Sequence, residues 1–436
     1  KRDVQTVDTI EIEPAMVEAS KGFGAFVWRA HQDPRSRTYI EDAKTYFSLH
    51  NSVYDVIIAE PSNPWVSGVA SLFSTEFYDR VGNHLEDDGV FVQWIQLYEF
   101  NDDLAISILK AIAENFSDFV MFAVDDGNII LVASKNGRMG NPQWSALLDS
   151  GIKAELARVD IRTAADLDVR IIAERALLDA FLNQHAAPAN SDYYPYVDLN
   201  AGRARFEGST ADLFSSWLRA PLPMLEMLGD RKLDFSAIVR TRHLDRLTSI
   251  LTADWLYNRI VIGVSEVALE ADGITAPHEY SLLATWLRQA ADYCEDDFDI
   301  NRWFTYVQDL MVASLPFSSP ENGASLIDAV DRSQCKGQQF PLIVSWFDLY
   351  RAVAERDAAA MTERASALIE IMPVDAPGKH RGYLLDAAML GAIAYGNVTQ
   401  ARALWDQYAL QMYGGSPIPG HMGLLSGIAS AGPAEN

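Results

Sequence analysis

Over its first 135 or so residues the sequence alternates short β-branched runs with helical patterns, then closes on two strand-like runs joined by Asp125-Asp126-Gly127-Asn128. Parallel neighbours need a connection of a dozen or more residues, usually a helix, so this alternation specifies a parallel sheet with crossover helices. Asp-Gly between two apolar runs specifies a terminal hairpin. The pattern predicts strands over 6–12, 37–40, 54–59, 90–95, 119–124 and 129–134. Helices are expected over 14–27, with Pro14 in the first turn, over 70–85, and over 102–115, opened by Asn101. Residues 54–59 are almost wholly apolar, as expected of a central parallel strand buried on both faces, and Asp87-Asp88-Gly89 reads as a turn.

Beyond Asn136-Gly137 the pattern turns helical, with a connector rich in Pro, Asn, Asp and Tyr over 186–196. From about 209 onward almost only helix signals remain. Residues 350–357 and 390–397 resemble each other: a helix with small residues, a tight polar turn, then a second helix carrying alanines. Helix pairs recurring about 40 residues apart suggest a short α-solenoid of the tetratricopeptide kind, with an irregular bundle as the alternative. Trp286, Trp303, Trp346 and Trp405 are expected in the cores of their helices, and 414–436 reads as a loosely held tail. The resulting division is an α/β unit over 1–137, a helical extension and connector over 138–205, and an all-α region over 206–436.

A chain of 436 residues with 49% hydrophobic content has material for two or three cores. Its longest apolar stretches are far shorter than the roughly 20 residues a membrane helix needs. Sixty acidic residues against 35 basic ones give a net charge of −25, which repels a phosphate backbone and argues against a nucleic-acid partner. The same surplus could attract a cationic substrate, though a solvated acidic surface or adaptation to salt is the simpler explanation. Cys294 and Cys335 are the two cysteines and match no metal-ligand spacing; no metal site is expected.

Acidic residues stand at successive strand ends. Glu11 and Glu13 close the first strand, where a carboxylate can bind ribose hydroxyls; Glu13 also suits a helix N-terminus. Glu41-Asp42-Ala43 closes the next, where a carboxylate can meet an adenine amino group beside a small residue that leaves room for a flat ring. Asp42 could equally be a helix cap. The third element runs Tyr54-Asp55-Val56-Ile57-Ile58-Ala59-Glu60-Pro61-Ser62-Asn63-Pro64-Trp65 and on to Leu72-Phe73. This run resembles the active-site strand and loop of the spermidine synthase family of aminopropyltransferases, usually D-x-I-x-x-D-S-S/T-D-P followed by a lid. The resemblance covers about 4–137, and the final hairpin belongs to it.

The resemblance implies a Rossmann-like sheet of the class I methyltransferase type, with decarboxylated S-adenosylmethionine or S-adenosylmethionine as the nucleoside and a cationic amine as acceptor. It puts Glu60 in the general-base position, Glu11 at the ribose, Asp42 and Ala43 at the adenine, and Asn63, Trp65 and Gln93 around the amine. Glu60 and Asn63 depart from the family pattern, where aspartates are usual. The form E-P-S-N-P-W-x-x-G-x-x-S-L-F resembles a variant branch often fused to a membrane transporter-like half, implying a cytoplasmic part of a membrane-anchored protein, or a separate membrane chain as partner. No glycine-rich loop precedes Val4, so the first strand and its loop are expected to be missing and the chain reads as a piece of something longer. Two alternatives stand: a catalytically silent scaffold whose helices bind a protein partner, and a methyltransferase, for which Asn63-Pro64-Trp65 loosely resembles an amino-methylase loop.

Overall fold

A computed structural model describes residues 4–139, 145, 150–229, 232–238, 244–271, 274, 276–292, 299–331, 340–372, 378–413 and 417–431. Cys294 and Cys335 lie outside the described residues. Among the described residues, seven strands form two sheets. β1 (Val7–Glu11) and β2 (Ser36–Ile40) pair in parallel, Glu11 opposite Ile40. The second sheet has the order β3-β4-β6-β5-β7, from β3 (Tyr54–Ala59), β4 (Leu85–Gln96), β5 (Asp118–Asp125), β6 (Asn128–Ser134) and β7 (Ile171–Glu174). Only β3 and β4 in it are parallel; β6, β5 and β7 join antiparallel. The fold class is the expected one, an α/β unit of parallel strands closed by a hairpin and followed by an all-helical region.

Helices α1 (Pro14–Ser20), α2 (Trp28–Gln32), α3 (Ala43–Leu49), α4 (Thr75–Asn83) and α5 (Asp102–Asn115) connect the strands. The helix expected over 14–27 gives way at Lys21 to a tighter 3₁₀ stretch, where Gly24 takes φ 56°. α5 carries the deepest face of the unit: Asn101 caps it through the Leu104 amide, and Leu104, Ile108, Leu109 and Ile112 are fully buried.

Three expectations about the strands change. Asp87-Asp88-Gly89 is no turn between elements but lies within β4, whose register against β3 jumps from Tyr54–Leu85 to Val56–Val90. A Cβ on Gly89 would stand 3.1 Å from the Tyr54 carbonyl, so the extra residues fold tightly against the neighbouring strand. Second, β3 is an edge, not a central strand buried on both faces. Ile57 enters the core, but Val56 and Ile58, on the opposite face, are 50% and 70% exposed. The edge of β1 that does not pair with β2 is likewise without a ladder partner. The two sheets meet through side chains instead: Tyr54 donates its hydroxyl to Asp8 at 2.8 Å and shares a 2.7 Å hydrogen bond with Tyr46. Third, β7 interrupts the region read as helical, extending the sheet past the hairpin.

The remaining helices are α6 (Ser150–Ala157), α7 (Ala165–Asp168), α8 (Arg175–Gln184), α9 (Tyr196–Glu207), α10 (Leu213–Leu218), α11 (Met224–Leu228), α12 (Asp245–Tyr257), α13 (Glu266–Ala271), α14 (His278–Asp292) and α15 (Ile300–Ser314). After them come α16 (Pro320–Val330), α17 (Pro341–Glu355), α18 (Ala358–Ile371), α19 (Gly378–Ala394), α20 (Val398–Tyr413) and α21 (Gly420–Ser430). The resemblance between 350–357 and 390–397 extends to atomic detail. In the α17–α18 turn Arg356 takes a left-handed conformation, Asp357 donates its amide to Ala352, and its side chain caps the Ala360 amide. In the α19–α20 turn Gly396, Asn397, Ala392 and Gln400 repeat each step. Gly391 lets α19 approach α18 so closely that a Cβ there would be 2.5 Å from the Ala358 carbonyl.

Trp303 and Trp346 are buried, and Trp286 and Trp405 pack against the core. The segment expected to be a loose tail instead holds α21, whose Met422, Leu424 and Leu425 are buried. It closes back on the first half of the chain, where Trp217 donates to the Gly420 carbonyl at 3.0 Å, and on α19, where His421 meets Asp386 at 3.0 Å. Arg246 of α12 is fully buried and donates to the Val169 carbonyl beside β7, and the loss of water lowers its pKa to about 10. Among the described residues no helix is long and apolar enough to cross a membrane, and no three His, Cys, Asp or Glu side chains converge on a metal position.

Candidate functional site

The candidate residues stand where strands end. Glu11 is the last residue of β1 and half-buried; its carboxylate folds back to accept the Glu13 amide at 2.9 Å. Glu13 caps α1 through the Ala15 amide, the helix-terminus role that its position suggested. One strand over, Asp42 caps α3, its Oδ2 accepting from Thr45 at 3.0 Å, and Ala43 opens that helix half-buried. The cap role of Asp42 is therefore real; it occupies one carboxylate oxygen. β1 and β2 pair at Glu11 and Ile40, and Glu41 donates its amide to the Glu11 carbonyl at 3.1 Å, so the two acidic strand ends are neighbours.

Glu60 follows β3 immediately and is exposed. The loop behind it is built, not slack. Pro64 is buried, Val66 donates to the Asn63 carbonyl at 2.9 Å, and Gly68 takes φ 85° at the entry to a 3₁₀ turn over Val69–Phe73. Asn190, in the connector, fixes that turn from outside: its amide nitrogen donates to Ala70 and Phe73, and its oxygen accepts from Val197. Lys44 of α3 pairs with Asp192 at 2.7 Å, so the same connector also grips the helix that Asp42 opens.

Gln93 sits opposite Ala59 in the β3–β4 ladder and is completely buried. Its amide nitrogen donates to the Ala59 and Trp94 carbonyls, and its oxygen accepts from Tyr78 at 3.3 Å. Burial raises the Tyr78 pKa well above that of a free phenol, so the hydroxyl stays a donor. Gln93 thus reaches the site through Ala59, the residue before Glu60, rather than by facing solvent.

Trp65 is half-buried and packs on the core, and the guanidinium of Arg205 in α9 lies 5.1 Å from its ring centroid. Arg205 also faces Glu99, Nε to Oε2 at 3.7 Å. Glu99 belongs to the loop after β4, in a left-handed conformation at φ 50°. Nothing in the sequence singles it out: a glutamate two residues before Asn101 reads as an ordinary loop residue, and only the fold brings it to Arg205. Chemically the strand ends offer carboxylates, one at Glu60 that is exposed and unpaired among the described residues, and an aromatic face at Trp65. These suit a cationic, proton-losing substrate better than an anion.

The family model described as the spermine/spermidine synthase domain matches residues 1–125. Among curated proteins, the polyamine aminopropyltransferase of Desulforudis audaxviator is 29% identical over 113 residues, 26% of this chain and 41% of that protein. That of Caldicellulosiruptor saccharolyticus is 30% identical over 114 residues, with the same shares, 26% and 41%. The chain therefore spans about two-fifths of the length of these relatives. Among solved structures, spermidine synthase from Thermotoga maritima aligns over 30% of this chain and 46% of its own at 23% identity and a TM-score of 0.26. A probable spermidine synthase from Corynebacterium glutamicum aligns over 42% and 63% at 18% identity and a TM-score of 0.29.

Proposed function

We propose that the α/β unit carries an aminopropyl-transfer site, with decarboxylated S-adenosylmethionine as donor and a cationic amine as acceptor. The observation that carries this reading is Glu60, a carboxylate presented at the end of β3 without a partner among the described residues, in front of a loop held by Asn190. The match of residues 1–125 to the spermine/spermidine synthase domain supports the same class of chemistry. In the reaction the acceptor amine loses a proton to Glu60, and its lone pair attacks the propyl carbon beside the sulfonium. A C–N bond forms as the C–S bond breaks, and methylthioadenosine leaves with the bonding pair on sulfur. Glu11 would hold the ribose and Asp42, with Ala43, the adenine, each through the carboxylate oxygen not already used by the backbone. Asn63 and Trp65 would border the acceptor. Neither methyl transfer nor a silent scaffold draws support from a specific feature of the site, and the membrane-attached arrangement has no counterpart among the described helices.

Glu60→Gln keeps the size of the side chain and removes its basicity. Turnover should fall by about 10²–10⁴-fold, the usual worth of a general base, while calorimetric binding of decarboxylated S-adenosylmethionine is retained. Undiminished turnover in that variant would remove Glu60 from the mechanism. Preference for S-adenosylmethionine over its decarboxylated form would redirect the reading to methyl transfer.

A further inference from the structure

We infer that Trp65 and Glu99 form a subsite for the cationic far end of the acceptor, and that Arg205 fills it as a tethered stand-in. The inference rests on the acceptor being an amine, as proposed above. An indole face and a carboxylate converging on one point are what a cation selects, the ring by its quadrupole and the carboxylate by its charge. In the structure a cation does sit there: the Arg205 guanidinium, 5.1 Å from the Trp65 centroid and 3.7 Å from Glu99.

The two walls come from loops at the ends of adjacent parallel strands, Trp65 five residues beyond Glu60 and Glu99 just beyond β4. Neither is free to drift. Trp65 is flanked by buried Pro64 and the Val66–Asn63 turn. Glu99 is clamped from both sides, because Leu97 bonds Gly127 and Ala211, Phe100 bonds Ser209, and Tyr98 bridges Thr210. Flanking bonds of this kind are what sustain a non-glycine residue at positive φ, and they aim its side chain.

Arg205 is held far less firmly. Its ion pair with Glu99 is long, both side chains are about half exposed, 56% and 43%, and an exposed pair of that geometry contributes little. Glu207, the other carboxylate in the last turn of α9, is engaged by Arg203 at 2.8 Å and does not compete for Arg205. An alkylammonium group is smaller than a guanidinium and can approach Glu99 directly once Arg205 swings out on its long stem.

The test is calorimetric binding of putrescine to the full chain, with 1,4-butanediol as the uncharged control and salt held near physiological strength. Arg205→Ala should tighten putrescine binding by about five- to tenfold, with no response to the diol. Arg364→Ala makes the same change in net charge at an exposed position of α18 and should leave binding unchanged, separating the subsite from general attraction to an acidic protein. Adding Glu99→Gln or Trp65→Leu to Arg205→Ala should cancel the gain. Equal or weaker binding in Arg205→Ala, or a gain that survives Glu99→Gln, overturns the assignment. A gain that behaves as expected in a protein without turnover or nucleoside binding would uphold the cation subsite and reject aminopropyl transfer, so the two failures are distinguishable.

Discussion

Asn190 commits its whole side chain to the backbone of other elements, joining the turn at Ala70 and Phe73 to the start of α9 at Val197. Alanine there would leave two carbonyls and an amide without partners in a buried position. Asn190→Ala should destabilise the fold by about 2–4 kcal/mol in denaturant titrations, more than truncation of the exposed Glu60, and should loosen the loop that follows Glu60. Residues of this scale were legible from sequence when their role is local. Glu11, Asp42 and Glu60 each close a strand, and strand ends announce themselves by an apolar run meeting a polar turn. Glu13 and Asp42 also cap helices, as their positions allowed. Glu99 and the enclosed amide of Gln93 were not legible that way. Their settings are made by partners far along the chain, Arg205 for one and Tyr78 with Ala59 for the other.

At the scale of elements, the terminal hairpin was readable because Asp126-Gly127 is a local turn signal, while β7 was hidden. Four residues, Ile-Ile-Ala-Glu, are too few to show a period, and their strand character comes from pairing with β5. The edge position of β3 was hidden for a related reason: an apolar run states what a strand prefers to touch, not whether a neighbour is there. The hairpin turn also docks the helical region. Asp126 accepts the Asp245 amide at 3.0 Å and faces the Asp245 carboxyl, with Arg219 pairing Asp245 from the other side at 2.7 Å. Burial, with the Asp245 charge beside it, raises the pKa of Asp126 even against the opposing amide and Arg219. A carboxyl whose folded pKa lies above its unfolded value binds its proton more tightly in the fold, so this contact is strongest at low pH. It weakens as pH rises through the folded value. Asp126→Asn keeps the acceptor without the charge. It should raise the melting temperature relative to the wild type at about pH 7, by on the order of 1 °C, and change it less at about pH 4, where the native carboxyl already holds its proton.

For the whole molecule, the buried apolar side chains form one cluster from Tyr46 to Ala429, yet α1, the 3₁₀ stretch and α2 contribute nothing buried to it. The β1–β2 pair is tied to the rest by a few groups, chiefly the Asp8–Tyr54–Tyr46 hydrogen bonds and the packing of Ile10 and Tyr39 on the core. Native-state hydrogen exchange should report this directly. Amides paired between β1 and β2 should exchange on the order of 100-fold faster than those of β4, β6 and β5, which open only with the core. Equal protection in both sheets would mean the side-chain bridge is stronger than its few contacts suggest. The division has a consequence for ligand binding. Glu11 belongs to the weakly held pair, whereas Asp42, on core-packed α3, and Glu60 belong to the firmly held unit, so a nucleoside touching all three would act as a crosslink between two cooperative units. Its affinity would then appear as slowed exchange at β1 and β2, with the stable sheet left almost unchanged.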